Sequence, residues 1–134
     1  MNPPDSNILV KATGLSRKYQ AGGEAVAALD NVDFTVRRGE LVALVGPSGS
    51  GKSTLLNLVG ALDRPSQGEI SVGGLSLREA AEPERVRHRR EQVGFIFQSF
   101  NLLPTLFSGE TGRAPLVRRG FAGQAWFALR IVYE

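Results

Sequence analysis

Gly46-Pro47-Ser48-Gly49-Ser50-Gly51-Lys52-Ser53-Thr54 is the stretch on which the reading of this chain turns. It satisfies the pattern G-x-x-x-x-G-K-[ST], in which each residue type has a physical task. A polyphosphate needs several hydrogen-bond donors at short range. Glycines let the backbone curl so that successive N–H groups point at one centre. A helix opening at Gly51 would aim the positive end of its dipole at the same anion. Lys52 supplies a charge for the β- and γ-phosphates. The Ser53 hydroxyl is a hard oxygen suited to Mg²⁺, and Thr54 can donate to an α-phosphate. Gly46, Pro47, Ser48, Gly49, Ser50 and Gly51 form the loop, and the expected ligand is ATP or GTP.

The flanks support this reading. Leu41–Val45 is five consecutive apolar residues. With no polar alternation, it reads as a strand covered on both faces, as in a parallel sheet. Lys52–Leu62 reads as a helix with Leu55, Leu58, Val59 and Leu62 on one side. Upstream, Ile8–Ala12 is β-rich, Ala21–Glu24 is a turn and Ala25–Val36 is extended, with Val32, Phe34 and Val36 alternating with polar residues. Downstream, Arg64–Gly68 stops the helix and Glu69–Val72 is a short strand. Leu75–Gln92 is charged and helical for much of its length, with Pro83 near a helix start. Val93–Gln98 closes the series as a strand.

The chain has 134 residues, 42% of them hydrophobic and 22% charged. That is one domain or part of one, with an ordinary globular composition. It lacks Cys and has a single His, His88. Disulfide scaffolds, thiolate metal sites and His-rich metal centres are therefore excluded. The net charge of +3 is a small excess and gives little support to a nucleic-acid partner, and none is expected. The start, Met1-Asn2-Pro3-Pro4-Asp5, lacks the regions of a signal peptide. The uncharged stretch Gln92–Gly109 is too polar for a bilayer helix.

Other candidates are weaker on their residues alone. Tyr19 could stack on a base or be a partly exposed surface Tyr. Gln98 could orient a water or touch Mg²⁺, or be a strand-end amide bonded to backbone. The run Arg85-Val86-Arg87-His88-Arg89-Arg90 could contact phosphate, but it reads better as a solvated helix face partly neutralised by Glu82, Glu84 and Glu91, with His88 on the surface.

Taken together, these residues resemble the ATP-binding subunit of ABC transporters. The resemblance is carried by Gly39–Asn57, with the phosphate loop at its centre, and by Val93-Gly94-Phe95-Ile96-Phe97-Gln98-Ser99-Phe100-Asn101-Leu102-Leu103-Pro104-Thr105-Leu106. It covers residues 8 to about 106 and lies nearest the lipoprotein-release and macrolide-export branch. It implies an α/β fold of the P-loop NTPase class: an antiparallel β-subdomain plus a core sheet with the phosphate-loop helix, here incomplete. It implies that Tyr19 stacks on adenine and that Gln98 is the Q-loop glutamine, which senses Mg²⁺ and the attacking water. Lys52 and Gln98 would then serve catalysis, and Ser53 and Gln98 the metal. The cofactors implied are ATP and Mg²⁺. The partners implied are a transmembrane permease subunit and a second ATPase subunit. The place implied is the inner face of the cell membrane.

Some parts of the family pattern are missing from the sequence. There is no signature loop of the L-S-G-G-Q type, no apolar run ending in Asp-Glu after the phosphate loop, and no His beyond Gln98. From Phe107 onward Gly, Arg and Ala become denser and periodicity fades. The expectation is that residues 1–106 are the front of an ABC ATPase domain and 107–134 a non-homologous tail, as a shifted reading frame would produce. An ATP-binding subunit that couples hydrolysis to transport and a truncated, inactive nucleotide-binding fragment both remain open.

Overall fold

In a computed structural model, the structure describes residues 7–95. Two long strands, β1 (Ile8–Ala21) and β2 (Glu24–Arg37), form a hairpin around Gly22-Gly23. They are followed by helix α1 (Lys52–Val59), strand β3 (Gln67–Val72), the two-residue strand β4 (Leu75–Ser76) and helix α2 (Glu82–Glu91). The strands make one antiparallel sheet in the order β2-β1-β3-β4. β1 is central because both of its edges are paired: Ala12 faces Phe34 of β2 and Ile70 of β3. The β-rich run read from the sequence ended at Ala12; the structure continues it to Ala21, with register shifts between Ala12 and Arg17.

One core lies between the sheet and α1. Val10 and Leu15 of β1, Ile70 of β3, Leu58 of α1 and Leu77 after β4 are its most deeply buried large side chains. Leu55, Leu58 and Val59 are the face of α1 in this core, as their spacing predicts. Leu62 is not: α1 stops at Val59, and Leu62 is largely exposed. The physical reason lies at Gly60 and Ala61. Gly60 caps the helix, and Ala61 turns the chain into the left-handed region at φ 58°. α2 begins where Pro83 predicts, with the Glu84 carboxylate accepting from the Ala81 N–H at 2.8 Å.

Leu41–Val45 departs most from the sequence reading. Glu40–Pro47 forms no strand, and Leu41 and Val45 are 91% and 89% exposed. A strand buried on both faces needs a hydrogen-bonded neighbour and cover. Among the described residues nothing pairs with this run, and only Leu44 packs on the core. Of the expected strand Val93–Gln98, Gly94 makes a single bridge and Val93 and Phe95 are in no strand; residues 96–98, and the proposed tail 107–134, lie outside the described residues.

Candidate functional site

The loop after Gly46 is built by short-range contacts. The Ser50 N–H donates to the Pro47 carbonyl at 3.2 Å, which closes a turn. Ser50 then lies against Gly46, where an added Cβ would come within 2.7 Å of Ser50 Oγ. Gly51 is the N-cap of α1 at φ 93°, and a Cβ there would collide with the Ala28 carbonyl of β2 and sit 2.9 Å from Leu29 Cδ2. Only glycine satisfies both the left-handed backbone and the close approach. The loop is thereby seated against the hairpin.

Lys52 turns back over this loop. Its Nζ donates to the carbonyls of Gly46 and of Pro47, the latter at 2.8 Å, and to Ser50 Oγ at 3.2 Å. The first turn of α1 carries no acidic residue. Its leading N–H groups have no intrahelical acceptor, so this end of the helix keeps its positive potential. Ser53 is exposed at this end, and Thr54 is half-buried beside it.

A cleft of about 380 Å³ brings these groups together. Its walls are Ser48 to Thr54, Ala28 of β2 and Tyr19 of β1. This volume is within the range of small-molecule sites. Tyr19 reaches it because the hairpin places the end of β1, paired Tyr19 to Val26, beside the loop. So Tyr19, Ser48, Gly49, Ser50, Gly51, Lys52, Ser53 and Thr54 line one space, while Gly46 and Pro47 back the loop through Ser50 and Lys52. Gln98 lies outside the described residues. Ala28 was not singled out by the sequence, since an Ala in a strand carries no chemical signal.

Tyr19 is held from behind. Its hydroxyl donates to Asp63 Oδ2 at 2.7 Å, and the Arg17 guanidinium lies 4.4 Å from its ring centroid, within cation–π range. Arg17 Nε also donates to Asp63 Oδ2, at 2.8 Å. Burial pushes the Asp63 carboxyl up, but hydrogen bonds from Tyr19, the Arg64 amide and Arg17, with the charge of Arg17, outweigh it and hold the group below its usual value.

The basic run on α2 does something other than face water. Arg85 is 3% exposed and donates to the carbonyls of Leu77 (3.0 Å), Ala61 (2.7 Å) and Asp63 (3.0 Å). Arg89 donates to the Ala61 carbonyl at 2.7 Å. His88, expected on the surface, is 2% exposed with Nε2 3.1 Å from the Val59 carbonyl. The carbonyls of Val59, Ala61 and Asp63 belong to the end of α1 and the turn after it, where helix geometry leaves acceptors unsatisfied and negative potential accumulates. Burial, and then the nearby charges of Arg85 and Arg89, lower the His88 pKa against the opposing hydrogen bond to Val59. The solvated-face reading holds for Arg87 and Arg90, which pair with Glu91.

Among the described residues, no group of three or more acidic or His side chains could hold a metal ion, and no carboxylate lines the cleft. A Mg²⁺ ion there would take Ser53 from the protein and its other oxygens from phosphate and water, which is the usual economy of Mg²⁺ sites. No helix among the described residues is long and apolar enough to cross a membrane.

Comparison with known proteins gives one consistent result. The family described as ABC transporter matches residues 29–130. The ABC transporter ATP-binding protein MJ0796 of Methanocaldococcus jannaschii is 39% identical over 109 residues, 81% of this chain and 46% of that protein. The lipoprotein-releasing system ATP-binding protein LolD of Chromohalobacter salexigens is 45% identical over 116 residues, 87% of this chain and 49% of its own length. The macrolide export ATP-binding/permease protein MacB of Burkholderia pseudomallei is 46% identical over 114 residues, 85% of this chain and 18% of that protein. A solved dimer of MJ0796 with ADP and Pi superposes with a TM-score of 0.76 at 38% identity, covering 87% of this chain and 50% of that one. The chain thus spans about half the length, or less, of the relatives it matches. With a phosphate loop seated on an antiparallel hairpin and a family match over most of its length, the chain belongs to the ABC transporter family, on its ATP-binding side.

Proposed function

We propose that this chain binds Mg·ATP as part of an ATP-binding subunit of an ABC transporter. The observation that carries the reading is the single cleft shared by Tyr19 and residues 48–54. An aromatic face stands at one wall, and an uncompensated helix N-terminus with a lysine at the other. In this reading Tyr19 stacks on the base, the amides of Gly49 to Thr54 and the Lys52 ammonium receive the phosphates, and Ser53 offers its hydroxyl to the metal. A bound Mg²⁺ supplies charge neutralisation for the β- and γ-phosphates. Gln98 is assigned to the water and metal by resemblance. Lys52 exchanges the carbonyls of Gly46 and Pro47 for phosphate oxygens, a charged acceptor in place of two dipoles.

The same reading gives the chain a membrane permease as partner, a second ATPase subunit across the nucleotide, and a place at the inner face of the membrane. MacB is an ATP-binding/permease protein by name, and the MJ0796 structure is a dimer; both support it. A second reading, binding without turnover, rests on the sequence, which holds no L-S-G-G-Q type loop, no apolar run ending in Asp-Glu after the phosphate loop and no His beyond Gln98. Hydrolysis in phosphoryl-transfer sites needs a group that positions or deprotonates water, and losing such a group costs roughly 10²–10⁴ in rate.

Equilibrium titration with Mg·ATP and a turnover assay, each beside Lys52→Ala, test these readings. Binding that depends on Lys52 without turnover supports the second. Lys52-dependent turnover establishes the first, and binding indifferent to Lys52 overturns both. The boundary near Leu106 is tested in the coding DNA: an alternative frame there should restore an L-S-G-G-Q type segment and an apolar-Asp-Glu segment.

A further inference from the structure

Arg17 and Asp63 share no task with the phosphate loop, and neither lines the cleft. Yet both are committed to Tyr19. Asp63 Oδ2 accepts from the Tyr19 hydroxyl at 2.7 Å and from Arg17 Nε at 2.8 Å, while the Arg17 guanidinium covers one ring face at 4.4 Å. We propose that Arg17 and Asp63 are positioning residues for the nucleotide base, clamping Tyr19 so that the ring face turned to the cleft is the one a base stacks on. This rests on the reading of Tyr19 as the base platform.

The clamp has a fixed footing. The Asp63 N–H donates to the Asn57 carbonyl of α1 at 3.3 Å, and the Asp63 carbonyl accepts from the buried Arg85 at 3.0 Å. Ser66, three residues on, accepts from the Lys18 N–H at 3.0 Å, and its own N–H donates to the Ser16 carbonyl at 2.8 Å. The turn after α1 thus grips β1 on both sides of Arg17. α1 carries Lys52 to Thr54 at its other end, so one helix references both the phosphate end and the base end of the cleft. An exposed Tyr at the end of a strand otherwise retains rotamer freedom that binding must remove. Holding the ring beforehand lowers that cost for any ligand that carries a base and for none that lacks one.

The test compares Mg·ATP with inorganic tripolyphosphate on the full chain. Tyr19→Phe keeps the ring and removes its bond to Asp63; Asp63→Ala and Arg17→Ala remove the clamp. Each should weaken ATP by about three- to tenfold and leave tripolyphosphate unmoved. Asp63→Asn, which retains an acceptor for the hydroxyl, should restore most of the difference. Tyr19→Phe combined with Asp63→Ala should be little worse than either alone. A parallel loss for both ligands would show a merely structural role and overturn the proposal. So would unchanged ATP affinity in Tyr19→Phe while Tyr19→Ala weakens it. If Tyr19→Ala leaves the preference for ATP over tripolyphosphate intact, the platform reading itself is what fails. Should Asp63→Ala not fold, Tyr19→Phe decides the matter.

Discussion

Lys52 is the residue on which the site's chemistry rests. Its ammonium is satisfied by its own loop, through Gly46, Pro47 and Ser50, so the charge is already delivered to the mouth of the cleft. Lys52→Ala is expected to weaken ATP and tripolyphosphate alike by about tenfold or more, as measured by titration, because a charge-assisted bond to phosphate contributes about 1.5–3 kcal/mol. This contrasts with Tyr19→Phe, which should touch only the base-bearing ligand. The loop was legible in the sequence because the bonds from Lys52 to Gly46, Pro47 and Ser50 span at most six residues. The clamp on Tyr19 was not. Arg17 and Asp63 meet across 46 positions, Tyr19 and Asp63 across 44, and no spacing rule links them.

Between elements, the decisive contact is α2 on the tail of α1. Arg85 alone serves three carbonyls, and its removal takes this donor from the buried carbonyl of Leu77 and the part-buried one of Asp63. Arg85→Ala is expected to cost about 2–4 kcal/mol of stability, read as a lower denaturant midpoint. His88 adds a dependence on pH. Its folded pKa lies below the ordinary 6.5, so the unfolded chain binds the proton more readily. The His88 contribution is therefore complete above about pH 6.5 and is lost as the pH falls toward the folded value. Asp63, also depressed, loses its contribution only at lower pH, as the pH falls through its folded value below 3.8. Chemical denaturation between about pH 7.5 and 5.5 should show stability declining with acidification, and His88→Gln should flatten that slope. The start of α2 was readable from Pro83 and its acidic first turn. The burial of Arg85 and His88 was not, because their partners are backbone carbonyls, which a sequence of side chains does not display. A run of six residues with four Arg resembles a wet face whichever way it points.

At the scale of the molecule, the antiparallel sheet is self-sufficient and the run ahead of the loop is not. Residues 8–37 and 67–76 pair with one another in a single sheet, so alternation and turn chemistry were enough to read them. Leu41–Val45 was read from hydrophobicity alone, which specifies a strand's appetite for cover but not what provides it. With Leu41, Val42 and Val45 exposed, the isolated chain should self-associate as its concentration rises. Sedimentation would show this, and Val45→Lys should reduce it; a monodisperse monomer at high concentration would count against the expectation. Gly51 shows how closely the two regions are joined. The Ala28 carbonyl occupies the place of any side chain at this position, and Leu29 of the core stands beside it. A larger residue at 51 should therefore register twice, as a lower melting temperature and as lost heat in calorimetry with nucleotide: the binding surface and the scaffold share one seam.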